Sequence, residues 1–437
     1  MAKAKTVHIC QNCSFKSSQW VGQCPDCGEW NTLVEEIINP VDSSQAVGAR
    51  HGVRPPVKLS KVKKAEIKRI SSGSKEFDRV LGGGFVPGQV ILLAGDPGVG
   101  KSTLLTQIAK NVSPKMDVLY VCGEESVSQV KVRAERMKYK GTNLLAVAET
   151  DVDTINSTME LEQNASLFVV DSIQSLTSRE FTGFAGSIGQ IRGGAQKLAT
   201  TAKRTGKPLI LVGHVTKDGA VAGPKVLEHI VDTVLYLEGD SQHLYRILRT
   251  NKNRFGPVSE VGIYEMTEDA MVDVQNPSEM FLSSASKAPG SCVTVVMEGF
   301  RPILFEIQAL TTKTSFGYPV RTASGFSANR LKVLIAILEK RCGLNLGDQD
   351  VYVNVAGGFK INEYAADLAV CLAIASSARG KPLKSKTAVI GEVGLLGEVR
   401  RISHEDKRIK EARKLGYTNV MSPQKFRSVE EVLNTAL

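Results

Sequence analysis

The sequence lacks a long apolar segment. Runs such as residues 90–94 are far shorter than the ~18–20 apolar residues that a membrane-spanning helix needs. Residues 1–6 lead into polar, cysteine-bearing sequence and are not followed by the apolar stretch of a secretory signal. These absences predict a cytoplasmic protein without a membrane partner.

Compositional bias is absent as well. The chain has 437 residues, of which 42% are hydrophobic and 23% are charged, and this excludes the disordered, collagen-like and fibrous classes. Its length fits two or three domains. The net charge of +10 permits a polyanionic partner, and it fits a merely basic protein equally well.

Cysteines are few and unevenly placed. Four of the eight lie in two C-x2-C pairs, Cys10 with Cys13 and Cys24 with Cys27, which argues against a secreted disulfide framework. Four thiolates make a closed, tetrahedral Zn²⁺ site that can staple a segment too short for its own core. We therefore predict a zinc-binding module over residues 1–34. Iron is the minor alternative, and reduced or disulfide-linked pairs are the metal-free one.

The rest of the chain divides into three parts. Residues 35–60 are rich in structure breakers and lead into a basic run, which predicts a basic linker. Residues 61–280 alternate short apolar strands with amphipathic helices, the pattern of a parallel α/β domain. The predicted strands are residues 90–94, 118–122, 167–171, 209–213 and 231–237, and the helices are residues 102–111, 128–139 and 188–204. After a polar break, residues 285–437 predict a further, α+β domain.

One motif binds phosphate. Strand 90–94 enters a sequence that matches G-x-x-x-x-G-K-[ST], and a helical pattern leaves it, as a P-loop requires. Backbone N–H groups of such a loop wrap phosphates at a helix N-terminus, the lysine reaches the β- and γ-phosphates, and the first hydroxyl ligates Mg²⁺. The predicted ATP-binding residues are Gly95, Asp96, Pro97, Gly98, Val99, Gly100, Lys101, Ser102 and Thr103.

Acidic residues complete the predicted chemistry. Asp171 ends the apolar strand 167–171, at the sheet edge where ligands of open α/β sheets bind, and is the predicted second Mg²⁺ partner beside Ser102. Glu124 and Glu125 follow the strand 118–122. One of them is the predicted general base that activates water. The sequence does not separate the two.

Four features in this order carry a family resemblance: the zinc cluster, the P-loop, the segment Tyr-Val-Cys-Gly-Glu-Glu-Ser at 120–126, and the pentapeptide Lys-Asn-Arg-Phe-Gly at 252–256. Over essentially its full length the chain resembles the RadA family of bacterial DNA repair proteins, which are RecA-like ATPases. The resemblance implies a ring, expected to be hexameric, that moves on single-stranded DNA and branched recombination intermediates. It further implies heteroduplex extension by branch migration, a stress-response role and a RecA-type recombinase as partner.

The resemblance also implies roles for basic residues. Lys252 and Arg254 look like fingers that stabilise charge on the ATP of a neighbouring subunit, and contact with DNA phosphate is the alternative. Two channel loops are expected to bind DNA, one over residues 178–194 and one over residues 214–225. The DNA-binding candidates are Arg179, Arg192, Lys217 and Lys225. The first loop overlaps the predicted helix 188–204, so one of those two interpretations must give way. His214 is either a sensor of the γ-phosphate or a structural histidine.

The C-terminal part resembles the proteolytic domain of Lon proteases, which use a Ser–Lys dyad. Alignment by eye places Tyr364 at the serine position and Asp406 at the lysine position. Neither side chain can replace its counterpart, and Lys407, one residue away, is rotated by about 100° on a helix. The domain is therefore predicted to be catalytically dead. A DNA-dependent ATPase motor is the leading hypothesis, and an ATP-gated ring scaffold and a Lon-like peptidase are the alternatives.

Overall fold

The computed structural model describes residues 5–10, 16–25, 28–30, 32–38, 68–214, 224–239, 244–278, 282, 288–315 and 317–437. The chain forms two compact units, residues 1–66 and 67–437. Among the described residues, none of the helices combines the length and the apolar character that crossing a bilayer demands.

The first unit is a small antiparallel sheet. It contains β1 (Lys5–Cys10), β2 (Lys16–Ser17) and β3 (Leu33–Ile38) in the order β2-β1-β3. Cys10 pairs with Leu33 across the sheet, and both pack with Cys24 in a minute core. The N–H of Gly28 donates to the carbonyl of Cys24 at 2.9 Å, and the φ of Gly28 is +74°. Cys24 therefore lies at a tight turn.

A nine-stranded sheet forms the first half of the second unit. Its strands are β4 (Val90–Gly95), β5 (Asp117–Cys122), β6 (Leu144–Ala148), β7 (Ala165–Asp171), β8 (Leu209–His214), β9 (Thr233–Glu238), β10 (Tyr245–Asn253), β11 (Val261–Met266) and β12 (Met271–Asp273). Their order in the sheet is β12-β11-β10-β9-β4-β8-β7-β5-β6. The six strands from β9 to β6 run parallel, and β10, β11 and β12 extend the sheet in antiparallel fashion.

Helices cover both faces of this sheet, as the continuous apolar strands require. Alternate residues of each strand face opposite sides: Ile91 packs on one face and Leu92 on the other. The first face is covered by α1 (Lys75–Leu81), α2 (Lys101–Val112) and α3 (Val127–Arg136), and the second by α4 (Val152–Leu161) and α5 (Ile188–Thr205).

The second half of the unit is an α+β domain around a six-stranded sheet. Its strands are β13 (Ser291–Glu298), β14 (Arg301–Lys313), β15 (Arg321–Ser324), β16 (Gln349–Val355), β17 (Thr387–Val389) and β20 (Asn419–Met421), and their order is β15-β16-β14-β13-β17-β20. A separate ribbon is formed by β18 (Glu392–Val393) and β19 (Val399–Arg400). Helices α6 (Ala328–Cys342), α7 (Asp367–Arg379) and α9 (Val429–Ala436) pack on one face, and α8 (Glu405–Lys414) packs on the other.

The two halves share a core and ion pairs. Ile263 of β11 belongs to the same buried cluster as Phe305 of β14. Arg249 of β10 pairs with Glu238 at 2.7 Å and also with Glu298 of β13. Arg249 therefore contributes to the junction of the two halves.

Candidate nucleotide site and associated elements

The phosphate loop joins β4 to α2. Gly98 and Gly100 have φ values of 76° and 110°, a backbone conformation that residues with a side chain rarely adopt. Lys101 is buried, and its Nζ donates to the carbonyls of Gly95 at 2.8 Å and Asp96 at 2.9 Å. A glycine turn at the N-terminus of a twelve-residue helix, with a lysine held across it, is suited to binding phosphate groups.

A carboxylate and a hydroxyl lie together beside this loop. Asp171 ends β7 and is 5% exposed, and it accepts hydrogen bonds from Tyr120 Oη at 2.9 Å and from the hydroxyl of Ser102. Burial raises the pKa of Asp171, and these two hydrogen bonds oppose that rise. Burial lowers the pKa of Lys101, and the charge of Asp171 opposes the shift. Carboxylate and hydroxyl oxygens are ligands that Mg²⁺ prefers, so the residues present fit that ion.

Glu124 faces the carboxyl ends of the parallel strands. The Ser172 hydroxyl donates to its Oε1, and the Nε2 of His214 at the end of β8 lies 3.4 Å from its Oε2. His214 and then Ser172 hold the pKa of Glu124 below its usual value, against the effect of burial, and the charge of Lys101 adds to the lowering. The carboxylate therefore carries its charge at neutral pH, close to the phosphate loop.

Glu125 has a different environment. Both of its carboxylate oxygens accept hydrogen bonds from the Arg133 guanidinium of α3, at 2.5 and 2.6 Å. This two-point ion pair ties the side chain to the helix. The two neighbouring acids thus differ in what they contact, which the sequence alone does not reveal.

The pentapeptide cations lie at the amino ends of the parallel strands, and the phosphate loop lies at their carboxyl ends, so the two are at opposite edges of the sheet along the strand direction. Lys252 is near the end of β10, and the backbone N–H of Arg254 donates to the carbonyl of Asp232 at 3.1 Å. Asp232 in turn donates its own N–H to the carbonyl of Val90 at 2.8 Å. Val90 begins β4 and Gly95 ends it, so the two edges are separated by about 16 Å at ~3.3 Å per residue. Within one chain, Arg254 cannot reach a nucleotide on the phosphate loop.

The predicted DNA-binding residues are exposed where the structure describes them. Arg179, Arg192 and Lys225 are on the surface, and Lys217 lies outside the described residues, as does most of the second predicted loop. Helix α5 includes Arg192, so the loop interpretation of residues 178–194 gives way to helix from residue 188 onward.

The residues aligned with the Lon dyad do not contact each other in the way that a Ser–Lys dyad requires. Tyr364 is 60% exposed, and the guanidinium of Arg330 lies 4.9 Å from its ring centre. Asp406 is exposed and accepts a hydrogen bond from Gln424 Nε2 at 3.0 Å. Lys407 places its Nζ 5.2 Å from the centre of an aromatic ring. None of these contacts places an amine base on a hydroxyl nucleophile.

An ion pair between a fully buried arginine and a partly exposed glutamate occupies the neighbouring positions. Arg408 is fully buried and donates to the two carboxylate oxygens of Glu363 at 2.6 and 2.7 Å, and to the carbonyl of Val295 at 2.6 Å. This pair joins α8 to the turn before α7 and to β13. The region that corresponds to the dyad is thus a structural connection between elements.

The cysteine site is described only in part. Cys10 and Cys24 are buried and close to each other in the core of the first unit, while Cys13 and Cys27 lie outside the described residues. Two buried thiols beside a tight turn fit the chemistry of a structural zinc site.

Sequence reasoning misses three further residues, one next to the phosphate-loop site and two that contact the pentapeptide. Ser172 directly follows Asp171, and a hydroxyl next to the predicted Mg²⁺ partner is a sequence feature that indicates a residue of the same site. Asp232 interrupts the apolar segment 231–237, and a single acid within a predicted buried strand indicates a carboxylate with specific partners. Arg69, which follows the predicted basic linker along the chain, donates to the carbonyls of Gly84 at 3.0 Å and Phe255 at 2.5 Å. No pattern in the sequence indicates that role.

Three family models match parts of the chain. They are the rubredoxin metal binding domain over residues 8–35, the AAA domain over residues 56–220, and subunit ChlI of Mg-chelatase over residues 320–425. A solved structure of the RadB recombinase covers 47% of this chain and 99% of its own, at 24% identity and a TM-score of 0.38. The predicted fold class, a RecA-like P-loop core with an N-terminal zinc module and a C-terminal Lon-protease-like domain, is confirmed.

Curated relatives match nearly the entire chain. DNA repair protein RadA of Bacillus subtilis (strain 168) is 48% identical over 428 residues, which cover 97% of this chain and 93% of that protein. DNA repair protein RadA of Halalkalibacterium halodurans is 47% identical over 429 residues, which cover 97% and 94%. Identity at this level along the full length shows that the chain belongs to the family of DNA repair protein RadA.

Proposed function

We propose that this protein is a DNA-dependent ATPase of recombinational DNA repair, acting as a ring-shaped motor on single-stranded DNA. The motor extends heteroduplex by branch migration of recombination intermediates, in the cytoplasm and together with a RecA-type recombinase. One observation supports the ring most strongly: the phosphate loop and the pentapeptide cations lie at opposite edges of one sheet. A head-to-tail neighbour places its pentapeptide at the phosphate loop of the next subunit. Repeated head-to-tail contacts generate a ring when the rotation between subunits closes.

The chemistry follows from the residues at the two edges. The phosphate loop and Lys101 bind the β- and γ-phosphates of ATP. Magnesium, held by Ser102 and Asp171, would neutralise phosphate charge. Glu124 takes a proton from a water molecule as the oxygen of that water attacks the γ-phosphorus. The bond between the γ-phosphorus and the β–γ bridging oxygen breaks, and ADP leaves. Lys252 and Arg254 of the next subunit stabilise the charge on the transferred group.

DNA binding is assigned to four cations of the same unit. Three of them, Arg179, Arg192 and Lys225, are exposed, and the fourth, Lys217, lies outside the described residues. Their contact with phosphates along the strand supports binding with little base preference. Neutralised phosphates release counterions, so affinity is expected to fall steeply with salt. The C-terminal domain serves assembly and DNA contact without peptidase activity, since Tyr364 and Asp406 replace the dyad.

Mixing two inactive variants tests the shared site. Lys101→Ala removes the phosphate-loop lysine and keeps the pentapeptide, while Arg254→Ala does the reverse. Each is expected to lose DNA-stimulated ATP hydrolysis. In rings assembled from equal amounts of both, about one quarter of the interfaces pair an intact loop with an intact pentapeptide, so about a quarter of the wild-type rate should return.

Two controls make the result decisive. The double variant Lys101→Ala/Arg254→Ala, mixed with either single variant, supplies no complete interface and should stay inactive. ATP turnover that single-stranded DNA does not stimulate would contradict the motor and favour an ATP-gated scaffold. Full turnover by Arg254→Ala with lost DNA binding would instead assign the pentapeptide to DNA.

A further inference from the structure

The two pentapeptide cations share a set of contacts with residues 228–232, which immediately precede β9. Asp232, the last of these residues, is 3% exposed. Its Oδ2 accepts a hydrogen bond from the N–H of Val90 at 3.1 Å, and its own N–H donates to the carbonyl of Val90 at 2.8 Å. The carboxylate is thus fixed to the first residue of the central strand β4.

The other carboxylate oxygen of Asp232 faces cations. Its Oδ1 accepts a hydrogen bond from the Arg254 guanidinium at 3.1 Å and from Lys203 Nζ at 3.3 Å. The carbonyl of Asp232 also accepts from the backbone N–H of Arg254 at 3.1 Å. Arg254 is held at its backbone and at one guanidinium nitrogen, while its side chain remains 52% exposed. A guanidinium has five N–H donors, so most of them remain for another group.

Lys252 is held by the same segment. A register shift in β10 lies between Thr250 and Lys252, and such bulges re-aim the side chains that follow them. The Nζ of Lys252 donates to the carbonyl of Val231 at 2.9 Å and to that of Glu228. Burial, and then the charge of Arg254, lowers the pKa of Lys252. Both cations thus take their positions from residues 228–232.

We propose that Asp232 is a positioning residue, which sets the Arg254 guanidinium for the ATP of the neighbouring subunit. This inference rests on the proposed shared site. A buried carboxylate fixed to β4 gives the exposed cations a rigid base, and misplacement by about 1 Å is enough to cost a reaction 10²-fold. Asp232 touches no reacting atom and acts through Arg254.

Asp232→Asn separates positioning from support of the sheet. The amide keeps the shape and an oxygen for the Val90 N–H, but it removes the charge that Arg254 and Lys203 share. We expect kcat for DNA-stimulated ATP hydrolysis to fall about tenfold or more, with the KM for ATP changed less than about twofold because the variant's phosphate loop is intact. Glu160→Gln is the matched control, since Glu160 pairs with Arg204 on the exposed surface of the same domain.

Two readouts distinguish positioning from a structural role. Mixing Asp232→Asn with Lys101→Ala should restore activity, because the second variant supplies intact cations. Circular dichroism should give the same midpoint of thermal unfolding for Asp232→Asn and Glu160→Gln.

The opposite results would overturn the inference in different ways. Wild-type kcat for Asp232→Asn, beside an inactive Arg254→Ala, would show that Arg254 needs no positioning by this acid. Lost activity that Lys101→Ala does not restore would place the defect in the variant's own fold. Wild-type turnover by Arg254→Ala would refute the shared site itself and not only the role of Asp232.

Discussion

Replacing Glu124 by glutamine tests the step at which water is activated. The amide has nearly the same shape and keeps an oxygen for the Ser172 hydroxyl, but it cannot accept a proton. Glu125→Gln is the matched control, because it makes the same change one residue along the chain. Glu125 contacts Arg133 rather than the residues around the phosphate loop.

The contacts of Glu124 set the expected size of the effect. A general base contributes 10²–10⁴-fold to a rate, and the contribution is largest when its pKa lies near the working pH. His214 and Ser172 hold the pKa of Glu124 below its usual value, so the carboxylate is ionised at neutral pH but is a weaker base. We therefore expect the lower part of the range, a loss of about 10²–10³-fold in kcat, or about 3–4 kcal/mol.

The assay is steady-state ATP hydrolysis with saturating single-stranded DNA, beside binding of a fluorescent ATP analogue. Glu124→Gln should bind the analogue as the wild type does. Glu125→Gln should keep most of its turnover and lose at most about 1 kcal/mol of stability, because its ion pair is partly exposed to solvent. A slow Glu125→Gln beside a fast Glu124→Gln would refute the assignment of the base, as would wild-type rates for both.

Three other predictions concern stability and the pentapeptide. Arg330→Met leaves the buried carboxylate of Asp367 without its cation and should cost about 3–5 kcal/mol at pH 7 in denaturant unfolding. Burial raises the pKa of Asp367, and Arg330 opposes that rise. In the variant, the Asp367 carboxylate of the folded state therefore takes up a proton more readily. The loss of unfolding free energy relative to the wild type should shrink as the pH falls towards 5, and a loss that stays constant would contradict this. Cys24→Ser should release the metal and unfold the first unit, measured by zinc content and proteolysis, while the melting of residues 67–437 stays unchanged; retained zinc would contradict the proposed site. Arg69→Ala removes a hydrogen bond to the carbonyl of Phe255 and should lower kcat several-fold at constant KM for ATP, whereas an altered KM alone would indicate a defect at the phosphate loop.

Much of the nucleotide-binding core was readable from the sequence, because each part depends on local order. A P-loop is one continuous segment, and the strand before it, residues 90–94, is apolar throughout since both of its faces are buried. Asp171 was found by its place at the end of another such strand. The predicted segment 231–237 was less accurate, as β9 begins at Thr233, after the buried Asp232.

The contacts that give residues their roles are not local. Glu124 and Glu125 are adjacent in the chain, and only the fold reveals that one meets His214 and the other meets Arg133. Arg69 contacts Phe255 across 186 positions of the chain. Pairings at such separations depend on strand order, which periodicity does not encode.

The separation of the phosphate loop from the pentapeptide has a consequence for how the proposed ring would load onto DNA. If each complete site is an interface, as proposed, a closed ring has as many sites as subunits, and a free subunit has none. A ring that opens at one interface to admit a strand without free ends gives up one site and keeps the rest. Specific activity should therefore rise with protein concentration until the rings are formed, and opening of the ring should cost one subunit's share of the turnover.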